Sequence, residues 1–173
     1  YYKSYDWEEP VERLYKEESH RVIADVRDHA LMPFVELKNA SQPEKRFEAF
    51  LEDNKEYIDW WYKNGDAGRQ HYAISYENKE GQKSLFYVDF VIRMKNGQIF
   101  LFDTKSAGSD VDAVEKHNAL IDYMQSEENK DKHLKGGIII ERYDNWKYCP
   151  LKIDNTTDIV DWDSFYPKEY KQV

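Results

Sequence analysis

The chain has 173 residues, of which 40% are hydrophobic and 34% are charged, and its formal net charge at pH 7 is −9. This length suits one domain with a sizeable core, and the absence of a long apolar run or a signal-peptide pattern predicts no membrane partner. The single cysteine, Cys149, excludes an internal disulfide and fits a reducing cytoplasm, while the five histidines lack the spacing of a zinc site.

The first 40 residues predict an N-terminal helical connector or brace. Residues 11–29 are charge-rich and predict a helix, and residues 30–37 predict an extended segment. Because the chain begins with Tyr1 rather than Met, we expect it to be an excised piece of a longer protein. Residues 1–40 would then join a preceding motor domain to the core, or brace the core itself.

Residues 41–53 predict the first helix of a domain that spans residues 41–173. Ser41 is a good N-cap residue, and Glu44 three positions later completes a capping box. The apolar residues that follow recur at helical spacing, as expected for a buried stripe: Phe47, Phe50 and Leu51.

Residues 85–105 form two strongly apolar runs around Asn96-Gly97, which predicts a β-hairpin. Each run carries a carboxylate where burial is expected, Asp89 in the first run and Asp103 in the second. A buried charge is costly unless it is paired or coordinates a metal. Lys105 falls on the same face as Asp103, because side chains alternate along a strand.

Two acids on facing strands, with an amine beside them, predict a metal site that cleaves phosphodiesters. Mg²⁺, with Mn²⁺ as a substitute, prefers oxygen ligands and keeps several waters, so one or two carboxylates suffice. We expect Asp89, Asp103 and the backbone carbonyl of Thr104 to bind the ion. Lys105 is expected to orient or help deprotonate the attacking water and to steady the phosphate.

The loop between the two runs decides whether both acids share one face. A two-residue loop, the commoner kind, would pair Asp89 with Thr104 and send the two acids to opposite faces. A three-residue loop of residues 95–97 would place Asp89 opposite Asp103, with Gly97 in the left-handed position of a G1 bulge. A bulge elsewhere would serve equally. The metal site therefore requires the less common register.

The Asp/Glu-x-Lys spacing alone is a weak signal, since it occurs six times in the chain. Only the copy at Asp103 and Lys105 ends a long apolar strand with a second strand-borne Asp in the preceding arm. The alternative is an edge hairpin whose charges face solvent, but both arms are too apolar for two-sided surface strands.

After the hairpin, the capping-box pattern of Ser109 and Asp112 predicts a helix through about Gln125. Residues 136–141 predict another buried strand, and the aromatic C-terminal tail is expected to pack back onto the domain. The residues expected to form the core face of the helix are Val111, Val114, Ala119, Leu120, Tyr123 and Met124.

Asp89, followed by Asp103-Thr104-Lys105 after an apolar strand, resembles the PD-(D/E)xK nucleases, the restriction-endonuclease-like superfamily. Val88 stands where that family usually has proline, and this difference does not remove a metal ligand. The wider pattern, over about residues 41–142, is similar to the nuclease domain at the C-terminus of the Res subunit of type III restriction enzymes. The segments that carry this similarity are residues 41–47, Trp60-Trp61-Tyr62-Lys63-Asn64, the hairpin, Lys116 and Gly136-Gly137-Ile138-Ile139-Ile140.

The resemblance implies an α/β fold with a restriction-endonuclease-like mixed β-sheet core flanked by helices. It also implies a third acid on the first helix that points toward the metal. Glu44 is the better match and Glu48, one turn on, is the alternate, although the capping box alone would also explain Glu44. Lys116 lies where type III-like domains carry a helical lysine, which would contact the scissile phosphate unless it is simply solvated.

These implications predict a Mg²⁺-dependent endodeoxyribonuclease domain in the bacterial cytoplasm, as the C-terminal part of a type III restriction enzyme helicase–nuclease subunit. The expected partners are double-stranded DNA, an upstream helicase or ATPase domain in the same polypeptide, and a modification (methyltransferase) subunit. The alternatives are a catalytically inactive nuclease-fold module for DNA or subunit binding, or a stand-alone repair or junction nuclease. The net charge argues against strong DNA binding, but residues 63–105 carry seven basic and five acidic side chains, so the candidate site lies in the least acidic segment.

Overall fold

The described part of the chain contains ten strands and two α-helices, and five consecutive strands separate the two helices. The computed structural model describes residues 20–22, 35–37, 41–64, 73–106, 108 and 110–172. The strands are β1 (His20–Val22), β2 (Val35–Leu37), β3 (Ile58–Lys63), β4 (Ile74–Glu77), β5 (Lys83–Phe86), β6 (Phe90–Met94), β7 (Ile99–Thr104), β8 (Lys135–Arg142), β9 (Asn145–Tyr148) and β10 (Asp163–Ser164). The helices are α1 (Gln42–Asp53) and α2 (Ala113–Gln125), with 3₁₀ turns at Lys55–Tyr57, Lys130–Lys132 and Pro167–Tyr170. None of the helices in these ranges has the length and apolar character that a membrane span requires.

A mixed six-stranded sheet forms the centre of the domain, in the order β10-β9-β8-β7-β6-β3. β7 and β8 run parallel, and the other neighbouring pairs in this sheet are antiparallel. Parallel neighbours need a long crossover, which α2 supplies between β7 and β8. The prediction of an α/β chain with a mixed sheet and helices is confirmed.

Apolar side chains cover both faces of the central sheet. On one face, Phe47 of α1 packs in a cluster with Phe100 and Phe102 of β7. On the other face, Leu120 of α2 packs in a cluster with Leu101 of the same strand. Burial on both faces explains why β6 and β7 are apolar at nearly every position.

α1 begins where the capping box predicts. Ser41 Oγ accepts a hydrogen bond from Glu44 N at 3.4 Å, which satisfies one of the N–H groups that the first helical turn leaves without a partner. Pro43 lies in that first turn, where its missing N–H costs no helical hydrogen bond. Phe47 and Leu51 are buried, as the apolar stripe predicts.

α2 begins later than predicted. The predicted N-cap, Ser109, lies outside the described residues, and Asp112 occupies the N-cap position instead. The prediction that Val111 lies in the core is wrong, because this residue precedes the helix and its side chain is 77% exposed. The helix ends at Gln125 as predicted. The other expected core residues are buried (Leu120, Met124) or half-buried (Val114, Ala119, Tyr123).

The N-terminal segment contains a short antiparallel strand pair. β1 pairs with β2, with His20 opposite Leu37 and Val22 opposite Val35. The helix predicted over residues 11–29 is therefore wrong at residues 20–22, where a β-branched residue favours a strand and pairing satisfies the backbone. The rest of residues 1–40 lies outside the described residues.

The hairpin of β6 and β7 has the three-residue loop. Met94 N donates to Gln98 O at 2.8 Å, and Gly97 N donates to Met94 O at 2.9 Å. Gly97 has a φ of +91°, a conformation that favours glycine. The pairing runs from Arg93 opposite Ile99 to Phe90 opposite Phe102, and the next position in the same register sets Asp89 opposite Asp103. The predicted register is confirmed.

Two glycines at the start of β8 permit close packing that the sequence did not reveal. A Cβ on Gly136 would lie 1.9 Å from Leu101 O, and one on Gly137 would lie 2.5 Å from His117 Cε1. His117 is fully buried, accepts a hydrogen bond from Ile138 N at its Nδ1 (3.0 Å), and uses Nε2 to donate to a backbone carbonyl, Leu151 O (2.8 Å). Burial lowers the pKa of His117, so the imidazole is neutral.

Replacing Gly97 tests the hairpin register. No atom lies within 4 Å of the position that a Cβ would take, so the cost of a side chain comes from the backbone conformation. We expect Gly97→Val to lower the free energy of unfolding by about 1–2 kcal/mol, and Gly97→Asn to lower it less, because Asn tolerates positive φ. Denaturant titration measures both, and equal stability of the three proteins would contradict the left-handed loop.

The buried imidazole of His117 predicts a pH dependence of stability. Its pKa in the folded chain lies below the ordinary value of about 6.5, so its stabilising contribution is complete above that pH and is lost as the pH falls through the lowered pKa. We expect the free energy of unfolding to fall more between about pH 7.5 and about pH 5.5 in the wild type than in His117→Gln. The exposed His133, replaced by Asn, is the matched control and should leave the wild-type slope unchanged.

Candidate functional site

Asp103 lies at the end of β7 with its carboxylate buried. The residue is 3% exposed, and Lys105 Nζ lies 3.1 Å from its Oδ2 atom. No donor among the described residues meets hydrogen-bond geometry at that atom. Burial, followed by the charge of Asp89, raises the pKa of Asp103 to about 7, although Lys105 opposes the shift. Burial and the second carboxylate thus both favour the protonated form of Asp103, and Lys105 favours the ionised form.

Asp89 lies at the bend just before β6, and its carboxylate is oriented by the neighbouring strand. Its Oδ2 atom accepts hydrogen bonds from Thr104 N and from Thr104 Oγ1, each at 2.8 Å. The sequence did not reveal these bonds. Asp89 and Asp103 are nevertheless close enough for the charge of one to raise the pKa of the other. In a strand the N–H and C=O of one residue point to the same side, so the Thr104 carbonyl also faces Asp89.

Lys63 at the end of β3 is a site residue that the sequence analysis missed. Its Nζ atom lies 3.1 Å from Glu44 Oε2 and 3.6 Å from Asp89 Oδ1. Burial acts to lower the pKa of Lys63, but the carboxylates of Asp89 and Glu44 outweigh it, and the pKa lies above its ordinary value. The signal available in the sequence was a lysine that ends an apolar strand, the same signal that selected Lys105.

Asp110 is a second residue that the sequence analysis missed. Its Oδ2 atom lies 3.4 Å from Lys105 Nζ and 3.0 Å from Lys116 Nζ, so it bridges the two amines. Lys116, predicted as a phosphate contact, is thereby brought to the site, and its charge opposes the rise in the pKa of Asp103. Burial acts to lower the pKa of Lys105 as well, but the carboxylates of Asp103, Asp89 and Asp110 together outweigh it and keep that pKa above its ordinary value.

These side chains form one continuous group at the ends of β3, β6 and β7, which we call the carboxylate–lysine cluster. Four carboxylates and three amines give it a charge of −1 when all are ionised, so it is nearly balanced. Glu44 belongs to the cluster through its ion pair with Lys63. Glu48 lies one turn further along α1, and its side chain is half-buried. The members are Glu44, Lys63, Asp89, Asp103, Lys105, Asp110 and Lys116.

The donor atoms of the cluster fit a magnesium ion held by few protein ligands. Within the described ranges, no three or more His, Cys, Asp or Glu side chains are arranged to hold a metal. Mg²⁺ requires fewer, since it binds through one or two carboxylates and keeps several waters. Asp103 Oδ2 is buried with the Lys105 ammonium 3.1 Å away, and Asp89 Oδ1 has the Lys63 ammonium 3.6 Å away. Asp89, Asp103 and the Thr104 carbonyl are the oxygen groups that would hold such an ion, in competition with these two ammonium groups.

Comparisons with protein-family models, with curated proteins and with solved structures gave no significant match to this chain.

The bonds from Thr104 to Asp89 predict a measurable stability effect that is independent of any activity. Thr104→Val keeps the shape of the buried side chain but removes one hydrogen bond to a charged acceptor, which is worth about 1.5–3 kcal/mol. We expect a loss of that size in denaturant titrations. Thr157→Val, which removes an exposed hydroxyl contact with Asn155, is the control and should change stability by less than about 0.5 kcal/mol. A Thr104→Val loss no larger than that of the control would show that the Thr104 hydroxyl does not hold the Asp89 carboxylate.

Proposed function

We propose that the chain is a Mg²⁺-dependent endodeoxyribonuclease domain of the PD-(D/E)xK, restriction-endonuclease-like kind. The observation that supports this most directly is the register of β6 and β7. The next position of that register sets Asp89 opposite Asp103, and Lys105 follows immediately after the end of β7. This is the placement of two acids and one amine from which the metal site was inferred in the sequence.

In this proposal Asp89, Asp103 and the Thr104 carbonyl hold the ion. Bound Mg²⁺ supplies Lewis-acid stabilisation of the charge that develops on the phosphate and lowers the pKa of a bound water. Thr104 orients the Asp89 carboxylate. Lys105 acts as a cation that steadies the phosphate and orients the attacking water, because its raised pKa disfavours the neutral amine that a proton acceptor would need.

The proposed substrate is double-stranded DNA, with Lys116 near the scissile phosphate. A chain with a net charge of −9 grips DNA weakly by itself, because phosphate binding depends on basic side chains. We therefore propose that other parts of the assembly hold the DNA, as in a type III restriction enzyme. These are an upstream helicase or ATPase domain in the same polypeptide and a modification methyltransferase subunit, all in the bacterial cytoplasm.

A second candidate is a nuclease-fold module that binds DNA or another subunit without cleaving. The observation that favours it is the charge balance of the cluster, in which Lys63 and Lys105 already lie against the acids that would hold the ion. A stand-alone repair or junction nuclease would use the same residues as the first proposal.

Cleavage of plasmid DNA by the protein that carries this chain tests the proposal. With Mg²⁺ present, we expect Asp89→Asn, Asp103→Asn and Lys105→Ala each to reduce the cleavage rate by about 100-fold or more, because each removes a group from the reacting centre. Lys105→Ala should leave Mn²⁺ binding within about threefold of wild type, whereas Asp103→Asn should weaken it by about tenfold or more.

Glu128→Gln and Lys130→Ala are the matched controls, because they alter another Glu-x-Lys pair that is exposed and lies outside the cluster. Both should cleave like the wild type. Unchanged cleavage by Asp89→Asn or Asp103→Asn would refute the proposed site. Binding of DNA without any metal-dependent cleavage by the wild type would select the second candidate.

A further inference from the structure

We infer that the carboxylate–lysine cluster binds one divalent ion, and that the ammonium of Lys63 takes the position that a second ion would otherwise occupy. This inference rests on the proposed function. It assigns Lys63 a positioning role that holds Glu44 and Asp89, and it makes Glu44 the partner of Lys63 and not a ligand of the ion.

Lys63 already bridges two carboxylates as a bound cation would. Its Nζ atom lies 3.1 Å from Glu44 Oε2 and 3.6 Å from Asp89 Oδ1, and its side chain is only 13% exposed. In two-metal nuclease sites, the two ions lie about 3.5–4 Å apart, so a second ion would need a place close to the first. An ammonium fixed between Glu44 and Asp89 repels a divalent ion that approaches the same two oxygens.

The backbone around Lys63 fixes it in this place. Lys63 pairs with Phe90 in the register of β3 and β6, and Asn64 N donates to Asp89 O at 2.8 Å. The ammonium lies 5.0 Å from the centre of the Phe90 ring, close enough for a cation–π contact. The strand pairing that positions Asp89 therefore also positions the cation beside it.

Without Lys63, the end of the cluster that contains Glu44, Asp89 and Asp103 would lack one of its cations. Glu44 and Asp89 would lose their shared counter-ion, while Asp103 would keep Lys105. Carboxylates in that arrangement favour a divalent ion, because opposite charge at short range stabilises the ionised form of each. Removal of the Lys63 amine should therefore leave space and uncompensated negative charge for a second ion.

Mn²⁺ binding to the protein, counted by calorimetry and by electron paramagnetic resonance, tests the inference. We expect one ion in the wild type, two ions in Lys63→Met, and one ion in Lys63→Arg, which keeps the cation. Lys95→Met removes an exposed lysine and is the matched control, with one ion expected. The double variant Glu44→Gln/Lys63→Met should return to one ion, because it lacks the second carboxylate of the new site.

The single variant Glu44→Gln provides a second test that does not depend on Lys63→Met remaining folded. Its affinity for the first Mn²⁺ should stay within about threefold of wild type, whereas a weakening of about tenfold or more would make Glu44 a ligand and overturn the inference. One ion in both the wild type and a folded Lys63→Met would also overturn it, without affecting the proposed function. A wild-type protein that binds no Mn²⁺ would overturn both.

Discussion

A carboxylate buried at the end of a central strand destabilises a fold unless cations lie close to it. Asp103 is in that position, and its pKa lies above the ordinary value because burial and the charge of Asp89 outweigh the nearby lysines. Lys105 lies against it, Lys116 acts from farther away, and Asp110 keeps both amines in place. The loop before α2, the first turns of α2 and the end of β7 thus all contribute charged groups that interact with Asp103, directly or through Lys105 and Lys116.

The hairpin loop determines whether this charge has a neighbour of the same sign. A shift of one residue in the pairing would exchange the two faces of β6 relative to β7. The three-residue loop, made possible by positive φ at Gly97, prevents that shift and brings Asp89 beside Asp103. A single turn about six residues from the site therefore sets the electrostatics of the site, and Lys63 and Lys105 supply the compensating charge.

Short-range sequence patterns correctly predicted the features that depend on interactions between residues close in sequence. Ser41 and Glu44 predicted the start of α1, and the loop chemistry of Gly97 was compatible with the register that occurs. The strand at residues 20–22 was missed, because its partner lies 13 or more residues away and the local composition favours a helix. Lys63 and Asp110 were missed because their roles arise only when β3 pairs with β6 and when the loop before α2 folds back onto β7.

Under the proposed function, the near balance of charge in the cluster links metal binding to DNA binding. The three amines are engaged by four carboxylates, so they offer little positive potential to a phosphate. A divalent ion on Asp89 and Asp103 would neutralise the charge of Asp103, which Lys105 contacts. The Lys105 ammonium would then interact more strongly with a phosphate of the substrate. Lys63, held by Glu44 as well, would keep its place. In this scheme the protein would bind the metal first and contact DNA at the site afterwards. The reason is that Asp103, which would bind the ion, holds the Lys105 ammonium that would contact the phosphate.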